Sequence, residues 1–317
     1  MIKKRLLGRT GLSITECSLG TFHLTTDFLT PHNEALCICR RAAALGINFI
    51  DTAAMYGAGE SQAIISEALG SFSSELVIAD KVGWFSRGVC SWQETKSYKS
   101  KELIRRQFEH SLYLLKREYV DILYIHESDW DDWWDDFKTA RGPVMQFLLE
   151  VKREGKIRFM GVSGRDTDKL TLLVKTGLFD TVLTFDNYDL VSKKAREKLI
   201  PIAKKQNVGV ILGAPFRQGL LAKKDEAAIQ ERVKEGRLTL EEAEKVKKVY
   251  RLSDENGIPL PEMAIRFLLA DKDIAAIIPG PRTVEELENN VASAMKGELP
   301  SDVLRKLEEI EKTPLGS

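Results

Sequence analysis

Eight short apolar runs recur along the chain, at residues 16–19, 47–50, 76–79, 120–125, 157–162, 181–185, 208–212 and 275–278, separated by amphipathic stretches with helical spacing. Such alternation is the pattern of parallel strands joined by crossover helices, because the chain must cross the face of the sheet to return to a parallel neighbour. Eight units of this kind predict an α/β fold, specifically a (β/α)8 TIM barrel, in which functional groups collect at the carboxyl ends of the strands. Asp51, Lys81, His126, Ser163 and Gly213 all fall at those ends. The 317 residues accommodate one such barrel, typically about 250 residues, as a single domain spanning 1–317. Residues 223–256 are charged and lack strand signals, so they are expected to be helices inserted after the seventh strand. Ahead of the first barrel strand, residues 4–7 and 13–15 flank the glycine-containing turn 8–12 and read as a β-hairpin.

Charge narrows the range of partners. The 47 basic and 47 acidic residues cancel, so no whole-chain field draws the protein to nucleic acid or to an anionic membrane. Cys17, Cys37, Cys39 and Cys90 show neither C-x-x-C spacing nor the density of a disulfide scaffold, which points to reduced thiols and no metal site. The basic start precedes too short an apolar stretch for a secretion signal, and no run approaches about 18 apolar residues. A cytoplasmic protein acting on a small molecule, with homo-oligomerisation open, is the expectation.

Between Phe49 and Gly57 the chain reads Phe-Ile-Asp-Thr-Ala-Ala-Met-Tyr-Gly, which places Tyr56 five residues after the strand-end Asp51. With Lys81 and His126, these residues supply the groups needed to orient and protonate a carbonyl oxygen while a hydride donor reduces its carbon. Tyr56 would donate the proton if its pKa, about 10 in isolation, were brought down by a nearby ammonium. Lys81 is the candidate for that cation, Asp51 would hold Lys81 charged and oriented, and His126 would offer a ring N–H to the carbonyl oxygen. Taken singly, Asp51 reads more readily as a helix cap, Tyr56 as a packed surface aromatic, Lys81 as a solvated lysine and His126 as a satisfied core histidine. Together, at successive strand ends and in this order, they resemble the aldo-keto reductases over nearly the whole chain.

The resemblance implies an N-terminal hairpin closing the barrel floor and a nicotinamide dinucleotide lying across the barrel mouth. No G-x-G-x-x-G fingerprint follows a strand, so a Rossmann site is disfavoured. By resemblance, the cofactor-binding set comprises Gly20, Thr21, Asp51, Ser163, Gly213, Pro215, Gly219, Leu220, Gly280, Pro281, Arg282, Glu286, Asn289 and Asn290. Gly280 and Pro281 would let backbone approach phosphate at a helix N-terminus, and Arg282 could pair with a 2′-phosphate. Glu286 would oppose that phosphate, so NADP(H) is only slightly favoured over NAD(H). Two departures stand out. The family's Ser-Asn pair appears as Ser163-Gly164, and no glutamine occupies the usual position near Asn187.

On the substrate side, Phe22, His23, Trp84 and Trp130 would border the mouth. Trp130, Trp133 and Trp134 lie among the aspartates of residues 129–136. Aromatic faces beside carboxylates favour a polar, cyclic, sugar-like ligand, although loop tryptophans also serve as packing. The segment from Lys81 to His126 resembles the branch containing L-galactose, aldose and pyridoxal dehydrogenases, which implies interconversion of an aldehyde, ketone or hemiacetal with its alcohol or lactone. The alternative implied by resemblance is a dinucleotide-sensing regulatory subunit with little turnover. A metal-dependent barrel enzyme is disfavoured, because His126 is the one histidine at a strand end apart from His23 just beyond the first.

Overall fold

The computed structural model describes residues 2–70, 76–85 and 98–312; Cys90 lies outside the described residues. The hairpin pairs β1 (Lys4–Leu6) antiparallel with β2 (Ser13–Thr15), Lys4 opposite Thr15. An eight-stranded parallel sheet follows, with its strands in sequence order: β3 (Leu19–Gly20), β4 (Phe49–Asp51), β5 (Val77–Val82), β6 (Val120–Ile125), β7 (Ile157–Gly164), β8 (Thr181–Phe185), β9 (Gly209–Gly213) and β10 (Ala276–Ile278). The two ends meet where Ser18 N–H donates to Ile277 O at 2.9 Å, Ile277 N–H to Glu16 O at 2.9 Å and Gly20 N–H to Pro279 O at 3.0 Å. Cys17 bridges Ile277 in parallel there, closing the barrel. The first strand is shorter than the expected 16–19 because the chain at 16–18 serves mainly as this seam.

The crossovers are α1 (His32–Ala44), α2 (Glu60–Leu69), α3 (Lys101–Leu115), α4 (Pro143–Arg153), α5 (Thr167–Lys175), α6 (Lys194–Glu197) with α7 (Leu199–Lys205), and α8 (Glu226–Lys234). They continue with α9 (Leu240–Asn256), α10 (Leu260–Ala270), α11 (Val284–Met295) and α12 (Ser301–Lys312). The charged stretch is helical, as expected. Thr239 and Glu242 form a reciprocal capping box that starts α9 and satisfies two helix-end donors.

Strand periodicity sorts the side chains into two cores. Phe49, Val77, Ala79, Ile122, Tyr124, Leu183, Ile211 and Ile278 fill the barrel with Leu7, Leu12 and Ile14 of the hairpin beneath them. Their alternates, including Ile50, Ile78, Leu123, Ile125, Val182 and Leu212, pack under the helices. Leu7 is fully buried, and Arg9 N–H donates to Asn207 O at the foot of β9, so the hairpin plugs the floor. Since side chains alternate along a strand, continuing Phe49, Ala79 and Tyr124 by two residues puts Asp51, Lys81 and His126 on the inward side of the mouth.

Candidate active site

Asp51 ends β4 and Lys81 lies within β5, both 2% exposed. Lys81 Nζ donates to Asp51 Oδ1 at 2.5 Å, to Thr52 O at 2.9 Å and to the Tyr56 hydroxyl at 3.1 Å. An ammonium has three protons and no acceptor, so these three contacts use all of them. The Tyr56 oxygen therefore accepts from Lys81, and its own proton must point elsewhere. Tyr56 starts the short helix Tyr56–Gly59, with Lys81 Nζ 4.8 Å from its ring centre and the His126 ring edge-on at 6.0 Å.

Burial and charge compete at each group. Burial, the largest single influence, lowers the Lys81 pKa, but Asp51 and Tyr56 together outweigh it and keep the ammonium charged. Burial pushes Asp51 up, and Lys81 pulls it back. For Tyr56 the net direction differs from the sequence expectation. Burial raises its pKa by more than Lys81 lowers it, so the phenol is held protonated rather than driven towards tyrosinate. His126 is buried, and burial followed by the Lys81 charge takes its pKa well below the usual histidine value, leaving a neutral ring. Its backbone is held by Val82 O and by the indole of Trp133, which donates to His126 O at 3.1 Å.

The expected cofactor residues lie at the carboxyl ends of β3, β4, β7, β9 and β10 or in the segments that follow them. Thr21 is fully buried; its hydroxyl donates to Asp51 O at 2.9 Å and accepts from Ser61, so it braces the Asp51 backbone. Ser163 donates to Ile125 O at 3.2 Å. Gly213 ends β9 opposite Phe185 and Ile278. In the loop that follows, Pro215 and Leu220 are buried and Gly219 is exposed. Arg217 anchors this loop through Asp189 at 2.8 Å and Glu242 at 2.5 Å.

Past β10, Gly280 O lies 2.9 Å from His23 Nδ1, and Pro281 is buried. Thr283 caps α11, Val284 N–H donates to Glu34, and Glu286 accepts from the Arg282 N–H at 2.7 Å. Two helix-start donors and the Arg282 N–H are thus held by this chain's own side chains. The Arg282 side chain and Asn289 are exposed, while Asn290 is buried with its carbonyl accepting from the Cys17 thiol. One observation fits a dinucleotide directly. Asp51 Oδ2 is buried at the mouth with no partner, an acceptor suited to a ribose hydroxyl.

The expected substrate residues separate into two groups. Phe22 packs edge-on against Tyr56 at 5.0 Å, and His23 Nδ1 lies 2.9 Å from Gly280 O just past β10. Trp84 and Trp130 face each other at 5.0 Å and line a cavity of about 590 Å³ with Glu127, Asp129, Arg165 and Asp166. Trp133 and Trp134 are braces, fully buried or nearly so, their indoles donating to His126 O and Ser128 O.

The sequence marks Asp129 only as one of the aspartates of residues 129–136 and singles out neither Glu127 nor Arg165; adjacency to His126 and to the Ser163-Gly164 departure is the available signal. That departure has a steric cause. A Cβ on residue 164 would lie 2.5 Å from Asp129 Oδ1, so only glycine leaves room for this carboxylate. Asn187 does not replace the absent glutamine as a free group. Its amide nitrogen is spent on Arg165 O, Thr184 Oγ1 and Phe185 O.

Comparison with known proteins agrees with the barrel. Residues 16–312 match the Aldo/keto reductase family. An L-galactose dehydrogenase from Arabidopsis thaliana is 29% identical, covering 98% of this chain and 93% of the relative. An NADH-specific methylglyoxal reductase from Escherichia coli is 26% identical over 92% of this chain and 93% of its own length. Among solved structures, an aldo-keto reductase from Bacillus halodurans in its holo form shares the fold with a TM-score of 0.79 at 23% identity, covering 100% of this chain and 98% of that one.

Proposed function

The chain belongs to the aldo/keto reductase family and is an NAD(P)-dependent oxidoreductase, and from that premise we propose that it interconverts an aldehyde, ketone or sugar hemiacetal with the corresponding alcohol or lactone. Tyr56 is the general acid in reduction and the general base in oxidation. The observation that carries this reading is the saturation of Lys81, which donates to Tyr56 and leaves the tyrosine proton free for a substrate oxygen. Burial keeps that proton in place until an alkoxide develops nearby, and the adjacent ammonium then stabilises the phenolate left behind.

His126, neutral and edge-on to Tyr56, supplies a ring N–H to the same oxygen. Asp51 fixes Lys81 through one carboxylate oxygen and offers the other to the dinucleotide ribose. The dinucleotide, when bound, supplies or accepts the hydride. Gly20, Ser163, Gly213 and the 215–220 loop form its bed, and Gly280 to Asn290 its adenosine end. Arg282 gives NADP(H) a small advantage that the Glu286 carboxylate narrows, so both dinucleotides are used. The relatives acting on L-galactose and methylglyoxal support a sugar or small carbonyl as substrate.

The test is nicotinamide absorbance with both dinucleotides, in both directions, against aldoses, lactols, keto sugars and simple aldehydes. Tyr56→Phe should lose about 10²–10⁴-fold in turnover while binding dinucleotide normally, because only the proton-transfer group is removed. Undiminished turnover in that variant rejects the assignment. Saturable dinucleotide binding without turnover of any substrate would instead support a sensing role.

A further inference from the structure

The cavity beside the catalytic strand ends carries more polar chemistry than the fold uses. Glu127 directly follows His126, Trp84 follows β5 by two residues, and Arg165 directly follows β7. Trp84 and Glu127 both have left-handed backbones, with φ of 51° and 50°. Bulky residues adopt that conformation at a cost, and here both line the same cavity.

Most of the charged groups lining the cavity are already engaged. Arg165 lies 3.7 Å from Asp186 and over the Phe185 ring at 4.8 Å. Asp166 caps α5 by accepting from the N–H groups of Asp168 and Lys169. Asp129 Oδ2 accepts from the N–H groups of Arg165 and Asp166 at 2.9 and 2.8 Å. What remains is Asp129 Oδ1, on a residue 7% exposed, with no partner among the described residues, over the bare Cα of Gly164. Glu127 lines the cavity as well, its carboxyl pushed up to about 7, first by burial and then by the Asp129 charge.

Resting on the oxidoreductase reading, we propose that this cavity is the subsite for the part of the substrate remote from the reacting carbon, and that it accepts hydrogen-bond donors, hydroxyl or ammonium, while excluding carboxylates and phosphates. Asp129 Oδ1 and Glu127 accept from the donor groups, and the Trp84–Trp130 pair provides apolar faces for the carbon skeleton. An incoming anion would meet the carboxylates of Asp129 and Asp166, joined by Glu127 as it ionises above about pH 7, against one arginine that already lies beside Asp186. Exclusion here comes from repulsion and from the desolvation of an unpaired charge rather than from shape.

The experiment is calorimetric titration of the protein saturated with NADH, using D-glucose, D-glucosamine and D-glucuronate as probes of nearly equal size. D-Glucose and D-glucosamine should bind at least about tenfold more tightly than D-glucuronate, as expected for a like charge held a few ångströms away in a partly buried site. Tighter binding of D-glucosamine than of D-glucose identifies ammonium as the preferred donor, and equal binding identifies hydroxyl. Glu127→Gln should shrink the discrimination against glucuronate several-fold. Asp129→Asn, which keeps an acceptor for the Arg165 and Asp166 N–H groups, should do the same without unfolding the loop. Glucuronate binding as tightly as glucose, a ratio unchanged in both variants, or no binding of any probe would overturn the proposal. Tyr56-dependent turnover of a simple aldehyde is measured alongside; it reports on the oxidoreductase reading independently, because such a substrate does not reach this subsite.

Discussion

Replacing Lys81 by methionine removes the charge while keeping much of the side-chain volume. Lys81 and Asp51 are each 2% exposed, and among the described residues the ammonium is the one side-chain partner of the Asp51 carboxylate, bonding Oδ1 while Oδ2 has none. Removing one member of a buried pair typically costs about 3–5 kcal/mol, because the other charge is left without compensation. With an unfolding entropy of roughly 2.1 cal/mol/K per residue, that corresponds to a Tm about 5–8 °C lower for a chain of this length. Asp51 would escape by binding a proton. Its folded pKa, already raised by burial, rises further once the lysine no longer pulls it back. The folded state then holds a proton that the unfolded state has released, so the stability of Lys81→Met falls as pH rises from about 4 towards the new folded pKa, by up to about 1.4 kcal/mol per unit. The double variant Asp51→Asn/Lys81→Met should recover most of the lost stability and lose the extra pH slope, while remaining inactive because Tyr56 has lost its cation. Thermal unfolding of wild type, both single variants and the double variant at several pH values measures all of this. If Lys81→Met is as stable as wild type, or if the double variant is no more stable than Lys81→Met, the buried-pair reasoning is refuted.

Trp133→Phe leaves His126 O without its indole donor and should cost about 1–3 kcal/mol by thermal unfolding, with kcat falling more than dinucleotide affinity. Arg282→Ala should weaken NADP(H) binding more than NAD(H), and Glu286→Gln should shift preference towards NADP(H) by several-fold, consistent with exposed charges worth about 1 kcal/mol or less; fluorescence titration with both dinucleotides decides, and an unchanged ratio in both variants removes these residues from cofactor discrimination. Because burial holds His126 neutral, the unfolded chain binds more protons than the folded one below about pH 6.5. Its contribution should therefore make stability fall as pH drops below that point, by up to about 1.4 kcal/mol per unit. His126→Asn should remove that slope in pH-dependent unfolding, and an identical slope would assign the titration elsewhere.

Strand periodicity made the core of the site legible in the sequence. The same alternation that turns Phe49, Ala79 and Tyr124 into the barrel turns Asp51, Lys81 and His126 into its mouth, so local pattern was sufficient to assemble three residues far apart in the chain. The eight apolar runs, the hairpin and the helical insertion were legible for the same reason, since each depends on neighbours within a few residues. Three matters were decided only by the tertiary structure. The Tyr56 proton is held rather than released, because burial sums contributions from elements distant in sequence and here exceeds the pull of one lysine. His23 turns to Gly280 because those loops are brought together by closure of the barrel between β3 and β10. Gly164 read as a missing hydrogen-bonding partner; in three dimensions it is the space occupied by the Asp129 carboxylate, 35 residues away in the chain. Sequence determines which face of a strand a residue takes, since that follows from backbone alternation alone, whereas the charge and partners of a buried group depend on everything that folding packs around it.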